Sequence, residues 1–427
     1  MTLSIGEKFD CTIEKVVYGG HGFVRVQGWV VFIVSNSGII SGEKVRACIT
    51  RKQGSFFWAE VLELLDPSPS RITPKCPYFG SCGGCQLQHI SQDEQQSLKT
   101  QWLNDQLLRA LGPVQAKVIS PKTCWNWRRR IFLHARCTDS GWQIGYFEKD
   151  NKTLFMPEIC PIFSENKEIF AAVRDFFLKL KKQQGKSIEV CIGKIGLDQY
   201  GLFLHVTGNL ENSFDKAIAH FSKSFISISI HGKDKSFQHG PQTFSEEILN
   251  STIFYTLSAF LQNHPEAYSL ILNSISARMQ KPPLHVYDLY SGVGCTTCLL
   301  KRLGYTVESI EYNRKAVACA EMALEKNNLT ADGIHCGKVE EMLPNLKMPA
   351  SIWIVNPPRE GLHPKVIELC IKQRPQELFY TSCHLATMIR DIKPLLEAGW
   401  KIAWIQGFDL FPQTTHLEVV CQLILTN

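Results

Sequence analysis

Two segments near the C-terminus contain residues that could act as a nucleophile and a base. The sequence FYTSCHLATMIRD, residues 379–391, predicts a strand that ends at Cys383 and turns into a helix. A thiol in that position can be exposed at the edge of a sheet, where a helix N-terminus favours the thiolate. Glu418 follows His416 by two residues, so an extended chain would place both side chains on one face. We predict Cys383 as nucleophile and Glu418 as base, whereas His416 fits a hydrogen-bonded structural role at least as well.

A glycine turn upstream has the composition of a cofactor site. The sequence VYDLYSGVGC, residues 286–295, predicts a strand followed by a turn that contains Gly292 and Gly294. Such glycines let the backbone approach a ligand at the carboxyl edge of an open α/β sheet. The next strand ends at Glu311, whose carboxylate could accept hydrogen bonds from ribose hydroxyls. Because no third glycine follows at the dinucleotide spacing, the pattern favours S-adenosylmethionine over a nicotinamide cofactor.

Three of the sixteen cysteines lie on one glycine-rich loop. They are Cys76, Cys82 and Cys85, and Cys160 is the best candidate for a fourth ligand. The spacing C-x5-C-x2-C with one distant cysteine suits an iron–sulfur cluster better than zinc, whose structural sites usually combine two short pairs. We predict a cluster, and a zinc site or unligated buried cysteines are the alternatives.

The elements that must position these residues divide the 427-residue chain into three predicted domains. Residues 1–65 alternate apolar and polar side chains, which predicts a five-stranded antiparallel barrel. Residues 66–250 begin with a proline-rich linker and predict a mixed α+β domain, whose helix near 95–111 could pack on the catalytic domain. Residues 251–427 contain strands that alternate with helices from Leu284 onward, which predicts a doubly wound α/β sheet. The central pattern also predicts strands near 130–135 and 201–206 and a helix near 167–180.

The composition of the chain says more about its cellular compartment than about its binding partner. Hydrophobic residues make up 44% of the chain, and no apolar run approaches the roughly 18 residues of a membrane span. The N-terminus lacks a basic flank followed by an apolar run, so we expect no secretory signal, a soluble protein and a cytoplasmic location. The net charge of +6 supports a polyanionic partner only weakly. We also expect a monomer that does not bind membranes.

Several of these motifs resemble those of the RNA uracil-5 methyltransferases. The cysteine loop continues into Gln86-Leu-Gln-His89 and resembles the CPxFGxCGGCQLQH segment of the members that carry a [4Fe-4S] cluster. The stretch Tyr18 to Arg25 resembles the TRAM domain, an OB-like barrel attached to several RNA-modifying enzymes; a generic barrel with another ligand is the alternative. The order DLYxGxG, xPPRxG, SCxxxT and FPxTxHxE also resembles the family's catalytic domain.

The resemblance implies methylation of a uridine at C5. Uracil C5 is too weak a nucleophile to attack a methyl sulfonium directly, whereas addition of the Cys383 thiolate to C6 places electron density at C5. Glu418 would then remove the C5 proton. The resemblance also implies a Rossmann-like catalytic domain that binds S-adenosylmethionine and a [4Fe-4S] cluster that helps to hold an RNA-binding domain together. The implied donor-binding residues are Glu246, Tyr290, Gly292, Gly294, Cys295, Glu311 and Asn356. The implied cluster ligands are Cys76, Cys82, Cys85 and Cys160.

Five positions depart from the family pattern. Glu246 stands for a glutamine, Ile248 and His384 for asparagines, and Asn356 for an aspartate, while Lys338 occupies a position where a polar or acidic residue is expected. Because these positions surround the donor or the base in the family, they bear on substrate choice and on activity.

The favoured substrate is ribosomal RNA, because a cluster loop together with a TRAM-like barrel resembles the bacterial 23S rRNA enzymes more than the shorter tRNA enzymes. Transfer RNA is the first alternative. A catalytically silent RNA-binding paralogue, such as a ribosome-assembly factor, is suggested by the changed positions. A methyltransferase acting on nitrogen is suggested by Asn356-Pro-Pro, and it predicts that Cys383→Ser retains activity.

Overall fold

The structure is a computed structural model that describes residues 3–181, 186–196, 198–209, 214 and 216–426. No helix in these ranges is long and apolar enough to cross a membrane. The helices are α1 (Gln92–Leu111), α2 (Lys167–Lys179), α3 (Ala217–Phe221), α4 (Pro265–Ser276), α5 (Cys295–Arg302), α6 (Arg314–Lys326), α7 (Val339–Met342), α8 (Pro364–Gln373) and α9 (Leu385–Glu397). The strands are β1 (Lys8–Thr12), β2 (Lys15–Val17), β3 (His21–Val26), β4 (Trp29–Val34), β5 (Lys44–Gln53), β6 (Phe56–Asp66), β7 (Val118–Ile119), β8 (Arg130–Thr138), β9 (Gly141–Phe147), β10 (Leu154–Phe155), β11 (Ser187–Gly196), β12 (Gln199–Val206), β13 (Ser227–His231), β14 (Ser236–His239), β15 (Phe244–Ile248), β16 (Ser251–Tyr255), β17 (His285–Leu289), β18 (Thr306–Glu311), β19 (Ile334–Cys336), β20 (Ile352–Val355), β21 (Glu377–Ser382), β22 (Trp400–Phe408) and β23 (Glu418–Leu425).

One mixed sheet organises the C-terminal half, with the strand order β19-β18-β17-β20-β21-β23-β22-β7. The strands from β19 to β21 in this order pair in parallel, whereas β23 runs antiparallel to both of its neighbours. Every residue of β20 is buried, as expected for a parallel strand with helices on both faces of its sheet. The parallel α/β sheet predicted from Leu284 onward is therefore present, and an antiparallel pair extends it.

Two elements from upstream of residue 251 complete this sheet and its core. The two-residue strand β7 pairs in parallel with β22, so that Val118 lies opposite Gly407. Leu103 and Leu107 of α1 are buried in the same apolar cluster as Trp353 of β20. The segment 92–119 thus packs with the C-terminal sheet, although it is far from that sheet in sequence.

The N-terminal sheet has the strand order β1-β5-β6-β4-β3-β2. The predicted five-stranded antiparallel barrel is wrong in two respects, because this sheet has six strands and because β4 and β6 pair in parallel. The extra strand β2 has only three residues, which is too short to show a clear alternation. The parallel pair arises because the β5–β6 hairpin lies between β1 and β4. Alternate residues such as Val31, Ile33 and Ala59 point inward and are buried.

A second sheet occupies the middle of the chain, with the order β10-β9-β8-β11-β12-β13-β14. The predicted strands near 130–135 and 201–206 are β8 and β12, and the predicted helix near 167–180 is α2. Apolar residues of α2 pack on this sheet, including Phe170, Val173 and Phe177. The mixed α+β pattern predicted for this region is confirmed.

Candidate active site

Cys383 and Glu418 lie side by side because their strands are neighbours. In the antiparallel pair of β21 and β23, Ser382 is opposite Val419. One further step along both strands brings Cys383 next to Glu418. Burial raises the pKa of the Cys383 thiol, and the neighbouring Glu418 carboxylate raises it further. The structure thus brings together the two residues that the sequence predicted as nucleophile and base.

Arg359 supplies positive charge beside both groups. Its guanidinium favours the ionised forms of Cys383 and Glu418 and so opposes the effect of burial on their pKa values. Burial still raises the pKa of Glu418 to about 8. Asp391 of α9 anchors the loop that carries Arg359, because its carboxylate accepts a 2.7 Å hydrogen bond from the backbone N–H of Leu362. Sequence reasoning did not assign a role to Arg359, although the residue lies in the quoted PPR motif.

The first turn of α9 fixes the backbone around Cys383. His384 is the N-cap residue, and its Nδ1 atom accepts a 3.3 Å hydrogen bond from the backbone N–H of Thr387. The hydroxyl of Ser382 accepts a 3.0 Å hydrogen bond from the backbone N–H of His384. A side-chain acceptor at the N-cap satisfies an amide that the helix itself leaves unpaired. The changed residue His384 therefore caps the helix that follows the nucleophile.

His416 is more exposed than Glu418, although the charge of Arg359 acts on both residues. The strand β23 begins at Glu418, and His416 precedes it with its backbone N–H donating to the hydroxyl of Thr414 over 3.2 Å. His416 is exposed, whereas Glu418 is buried. The strand on which the predicted common face depends thus begins only at Glu418.

The predicted donor turn follows β17 and is tied to the end of β18. The backbone N–H of Gly292 donates to Oε2 of Glu311 over 2.9 Å, and Oε1 accepts the N–H of Asn313 over 2.7 Å. Gly294 has a φ of +81° and is the N-cap residue of α5, and a Cβ atom on it would lie 2.7 Å from that of Ala320. Only glycine fits this close approach of the turn to α6 without a shift. The glycine turn and Glu311 come together as the sequence predicted.

Three further predicted donor residues lie around this turn. Tyr290 has a φ of +63° and is half-buried just before the glycines. Asn356 follows β20, is half-buried, and donates its backbone N–H to the carbonyl of Leu289 over 3.3 Å. Cys295 begins α5, and burial raises the pKa of its thiol to about 12, so this thiol stays neutral at physiological pH. Cys295 would therefore contact a polar ligand through its backbone N–H at the N-terminus of α5.

Glu246 lies on the hairpin of β15 and β16 and forms an ion pair with Arg129. Burial lowers the pKa of Arg129 to about 10, and its guanidinium is close enough to Cys295 to oppose the effect of burial on the pKa of that thiol. Arg129 therefore links Glu246 to the donor turn. Two other changed positions lie elsewhere, because Ile248 is 4% exposed in the apolar core and Lys338 pairs with Glu341 at the surface.

The chain is similar in sequence to several known proteins. The sequence model of the family described as tRNA (uracil-5-)-methyltransferase matches residues 247–426. An uncharacterised RNA methyltransferase of Protochlamydia amoebophila is 32% identical over 433 residues, which cover 99% of this chain and 98% of that protein. The chain belongs to the RNA uracil-5 methyltransferase family. It is accordingly an RNA methyltransferase that uses S-adenosylmethionine.

Two further matches to this methyltransferase are a second bacterial relative and a solved structure. An uncharacterised RNA methyltransferase of Halalkalibacterium halodurans is 26% identical over 98% of this chain and 97% of that protein. The crystal structure of the Pyrococcus abyssi tRNA (uracil-54, C5)-methyltransferase with S-adenosyl-L-homocysteine matches with a TM-score of 0.71. That match covers 97% of this chain and 99% of the other at 22% identity, so it shows a common fold. The predicted methyltransferase fold of the α/β sheet is confirmed.

A pocket beside the thiol of this methyltransferase includes a residue from the N-terminal sheet. Tyr18, in the turn between β2 and β3, lines the pocket together with Cys383 and Thr415. Charges on Arg359 and Cys383 both act on the Tyr18 hydroxyl. The Tyr18 ring packs edge-on against Trp102 of α1 with 5.9 Å between centroids. Sequence reasoning missed Tyr18 as a site residue, because nothing in its local pattern indicates a contact with residues so distant along the chain.

The four predicted cluster ligands of the methyltransferase line one cavity of about 280 Å³. Burial raises the pKa of all four thiols, to about 11 for Cys82 and about 12 for Cys85. Within the described ranges, no three His, Cys, Asp or Glu side chains converge closely enough to hold a metal ion. A cluster of several iron and sulfide ions is larger and takes one thiolate per iron, so its ligands stand farther apart. Four thiols around a common cavity fit that donor set.

Proposed function

We propose that this methyltransferase acts on C5 of a uridine in structured RNA through a covalent bond between Cys383 and C6. The observation that carries the proposal is the register of β21 and β23, which sets the Cys383 thiol beside the Glu418 carboxylate with Arg359 next to both. A nucleophile and a base that act on adjacent carbons of one ring need this proximity.

The proposed reaction begins when the Cys383 thiolate adds to C6, which moves the C5–C6 electron pair into an enolate. When bound, S-adenosylmethionine supplies an electrophilic methyl group to C5. The Glu418 carboxylate then accepts the C5 proton, the C5–C6 double bond forms again, and the C6–S bond breaks to return the thiolate. The target base must leave its stack for the thiol to reach C6 from above the ring.

Arg359 has a defined part in this proposal. Both the thiol and the carboxyl group of Glu418 are held in their neutral forms by burial, yet each must be an anion at one step. The Arg359 guanidinium beside them stabilises each anion as it forms. Arg359 is therefore proposed to act on the protonation of both groups.

For the donor we propose the residues around the glycine turn, namely Glu246, Tyr290, Gly292, Gly294, Cys295, Glu311 and Asn356. The side chain of Glu311 already accepts two backbone hydrogen bonds. Each carboxylate oxygen has a second lone pair, so both can also accept hydrogen bonds from ribose hydroxyls. Glu246 would act together with Arg129, its ion-pair partner.

We further propose that Cys76, Cys82, Cys85 and Cys160 hold a [4Fe-4S] cluster with a structural role. The sequence resemblance of the loop and the common cavity of the four thiols support this assignment. The domain division proposed from sequence is a TRAM-like N-terminal unit, a central iron–sulfur and RNA-binding unit, and a catalytic unit from residue 251. Residues 92–119, which pack with the C-terminal sheet, would join the catalytic unit.

We propose 23S rRNA as the substrate, on the basis of the cluster loop and the six-stranded N-terminal sheet. The family description and the Pyrococcus abyssi relative favour tRNA as the second candidate. Transcripts of unmodified 23S rRNA domains and of tRNA, offered in equal amounts with labelled S-adenosylmethionine, would separate the two. We expect 5-methyluridine in the ribosomal transcript, and labelling of tRNA alone would contradict this assignment.

The covalent step can be tested with RNA that contains 5-fluorouridine. Fluorine at C5 cannot leave as a cation, so the methylated adduct should persist through denaturing electrophoresis. Cys383→Ala should abolish the adduct, whereas Cys421→Ala, a buried cysteine on β23, should leave it intact. Glu418→Gln should accumulate a similar adduct on ordinary uridine RNA. Absence of an adduct on every RNA would favour a silent paralogue, and activity in Cys383→Ser would favour methylation of nitrogen.

A further inference from the structure

The hydroxyl group of Tyr146 is buried beside the cavity that contains the four predicted cluster ligands. Tyr146 lies on β9, and its side chain lines that cavity together with Cys76, Cys82, Cys85 and Cys160. Within the described part of the chain, no protein group forms a hydrogen bond with the Tyr146 hydroxyl oxygen, although this atom is buried. A buried hydroxyl without a partner is unfavourable. An occupant of the cavity that offers a hydrogen-bond acceptor would remove this penalty.

The pairing of β9 with β10 holds the Tyr146 ring at the wall of the cavity. Tyr146 lies opposite Phe155 of β10, and the two rings pack with 6.4 Å between centroids. Gly145 has a φ of +149°, and a Cβ atom on it would overlap the carbonyl of Phe155. Glycine at this position therefore permits the close approach of β10. The position of the Tyr146 hydroxyl is thus set by the backbone of two paired strands.

Cys160 is the thiol on which Tyr146 acts. Burial raises the pKa of the Cys160 thiol, and Tyr146 and Arg128 both oppose this effect, so each favours the thiolate. Arg128 lines the same cavity, and its Nε atom donates a 2.9 Å hydrogen bond to the carbonyl of Arg130. A hydroxyl and an anchored guanidinium therefore both lie close to Cys160. Thiolate is the form of cysteine that binds iron.

The loop cysteines have hydrogen-bond donors within their own loop. The backbone N–H of Gly84 donates to the Sγ atom of Cys82 over 3.4 Å. Burial raises the pKa of the Cys85 thiol, and the Gln88 side chain opposes this effect. Cys160 lies outside this loop, on a separate segment of the chain. A hydroxyl from β9 can supply a donor there.

We propose that the Tyr146 hydroxyl donates a hydrogen bond to the Cys160 thiolate when the cluster is bound, and so stabilises the negative charge on that ligand. This hydrogen bond presupposes the proposed [4Fe-4S] cluster and adds a residue to its surroundings. Tyr146 is a positioning residue, because it acts through Cys160 and touches no reacting atom. Hydrogen bonds to ligand sulfur and nearby cations favour the reduced form of an iron–sulfur cluster, which carries one more negative charge.

A matched pair of tyrosine variants tests this hydrogen bond. Tyr146→Phe removes the hydroxyl but keeps the ring and all four thiols. Tyr78→Phe makes the same change in the same cavity, but the Tyr78 hydroxyl already accepts a 2.9 Å hydrogen bond from the backbone N–H of Glu158. Each full-length variant is reconstituted anaerobically with iron and sulfide. Both should then contain as much iron and sulfide as the unmodified protein.

The reduction potential of the reconstituted cluster is the first readout. At a fixed potential, the ratio of reduced to oxidised cluster should be about threefold to tenfold lower in Tyr146→Phe than in the unmodified protein. This corresponds to a midpoint potential about 30–60 mV more negative. Tyr78→Phe should leave the midpoint unchanged. An unchanged midpoint in Tyr146→Phe, or equal shifts in the two variants, would overturn the proposal.

Release of iron to a chelator decides the question if the cluster cannot be reduced over the accessible range of potentials. Without its hydrogen bond, the Cys160 thiolate should be protonated and leave the iron more readily. Tyr146→Phe should therefore lose iron several-fold faster than Tyr78→Phe in the absence of oxygen. Equal rates of loss in the two variants would refute the role of Tyr146.

Iron and sulfide analysis of the unmodified protein separates failure of this hydrogen bond from failure of the proposed cluster. Absence of both elements after reconstitution would refute the cluster and, with it, the role of Tyr146. A cluster whose potential and iron release do not respond to Tyr146→Phe would refute only the hydrogen bond. The adduct with 5-fluorouridine RNA, measured separately, tests the chemistry at Cys383.

Discussion

The Nζ atom of Lys99 lies 2.6 Å from Oδ1 of Asp409, and both side chains are completely buried. The ammonium group also donates a 3.2 Å hydrogen bond to the carbonyl of Phe411. Lys99 belongs to α1, whereas Asp409 and Phe411 begin the segment that leads to Glu418. This ion pair therefore attaches α1 to the chain that positions the proposed base.

Removing one partner of this pair should destabilise the protein strongly. Lys99→Met leaves the Asp409 carboxylate buried without its countercharge, and such changes typically cost about 3–5 kcal/mol. We expect the free energy of unfolding, measured by urea titration, to fall by that amount. Lys326→Met, at an exposed position on α6, should change the stability little.

The double variant Lys99→Met/Asp409→Leu should recover much of the loss, because it removes both buried charges. A cost below about 1 kcal/mol for Lys99→Met alone would show that water or another cation replaces the lost partner.

The sequence permitted prediction of those site residues whose roles follow from a local pattern. The strand-to-helix transition at Cys383 and the glycine turn with Glu311 are both set by short stretches of chain, and the structure brings each group together as predicted. Tyr18 and Lys99 are different, because Lys99 and Asp409 are 310 residues apart and meet only after whole elements have packed. Such contacts leave no periodicity in the sequence.

The sheets likewise combine features that a local sequence pattern predicts with pairings that it does not. Alternation along residues 1–65 predicted a small sheet, yet the parallel pairing of β4 with β6 depends on where the β5–β6 hairpin inserts. The strand β7 has two residues, which cannot show a period. Ring contacts between β3, β4 and β6, such as those of Phe32 with Phe23 and Trp58, depend on that pairing and were likewise beyond prediction.

The rate of the proposed proton abstraction should increase with pH. Burial raises the pKa of Glu418 to about 8, and only the ionised carboxylate can accept the C5 proton. Once the methylated adduct has formed, release of tritium from RNA labelled at C5 should therefore rise about tenfold per pH unit below pH 8 and level off above it. The pKa of the Cys383 thiol is also raised, so the rate of adduct formation should likewise increase with pH.

Single-turnover measurements of adduct formation and of tritium release, made on the same samples, distinguish the two groups. A tritium-release rate that does not change between about pH 6 and about pH 9 would contradict the assignment of Glu418 as base. The same ionisation should lower stability as the pH rises from 4.5 through about 8, because a buried neutral carboxyl group becomes charged.

His384 shows how a changed family residue can keep a structural role. Asparagine and histidine can both present a side-chain acceptor to the first turn of a helix, and the ring of His384 does so for Thr387. We predict that His384→Asn preserves stability and adduct formation. His384→Ala should lower stability by about 1 kcal/mol and should also slow adduct formation, because the capped turn holds Cys383.

Asn166→Ala provides the control for capping alone. Asn166 caps α2, accepting a 2.9 Å hydrogen bond from the backbone N–H of Glu168, and α2 packs on the central sheet. Asn166→Ala should lower the free energy of unfolding by a similar amount and leave the rate of adduct formation unchanged. Equal rates for His384→Ala and the unmodified protein would show that the cap does not position the thiol.

The cysteine loop is joined to the segment before Glu418, and this contact leads to a further prediction. The backbone N–H groups of Gln86 and Leu87, directly after Cys85, both donate to the carbonyl of Gln413 over 3.0 Å. The backbone N–H of Thr415 in turn donates to Oε1 of Gln86 over 3.3 Å. A cluster that holds Cys85 would therefore also hold the segment 409–417.

We predict that Cys85→Ser, after anaerobic reconstitution, loses the visible absorption of an iron–sulfur cluster. Amide hydrogen exchange in peptides covering 409–417 should become several-fold faster, because the contacts that fix this segment open more often. Cys48→Ser, which changes a half-buried cysteine of β5 outside the cavity, should alter neither measurement. Visible absorption that persists in Cys85→Ser would refute its role as a ligand. Lost absorption with unchanged exchange would instead show that the segment before Glu418 is held independently of the cluster.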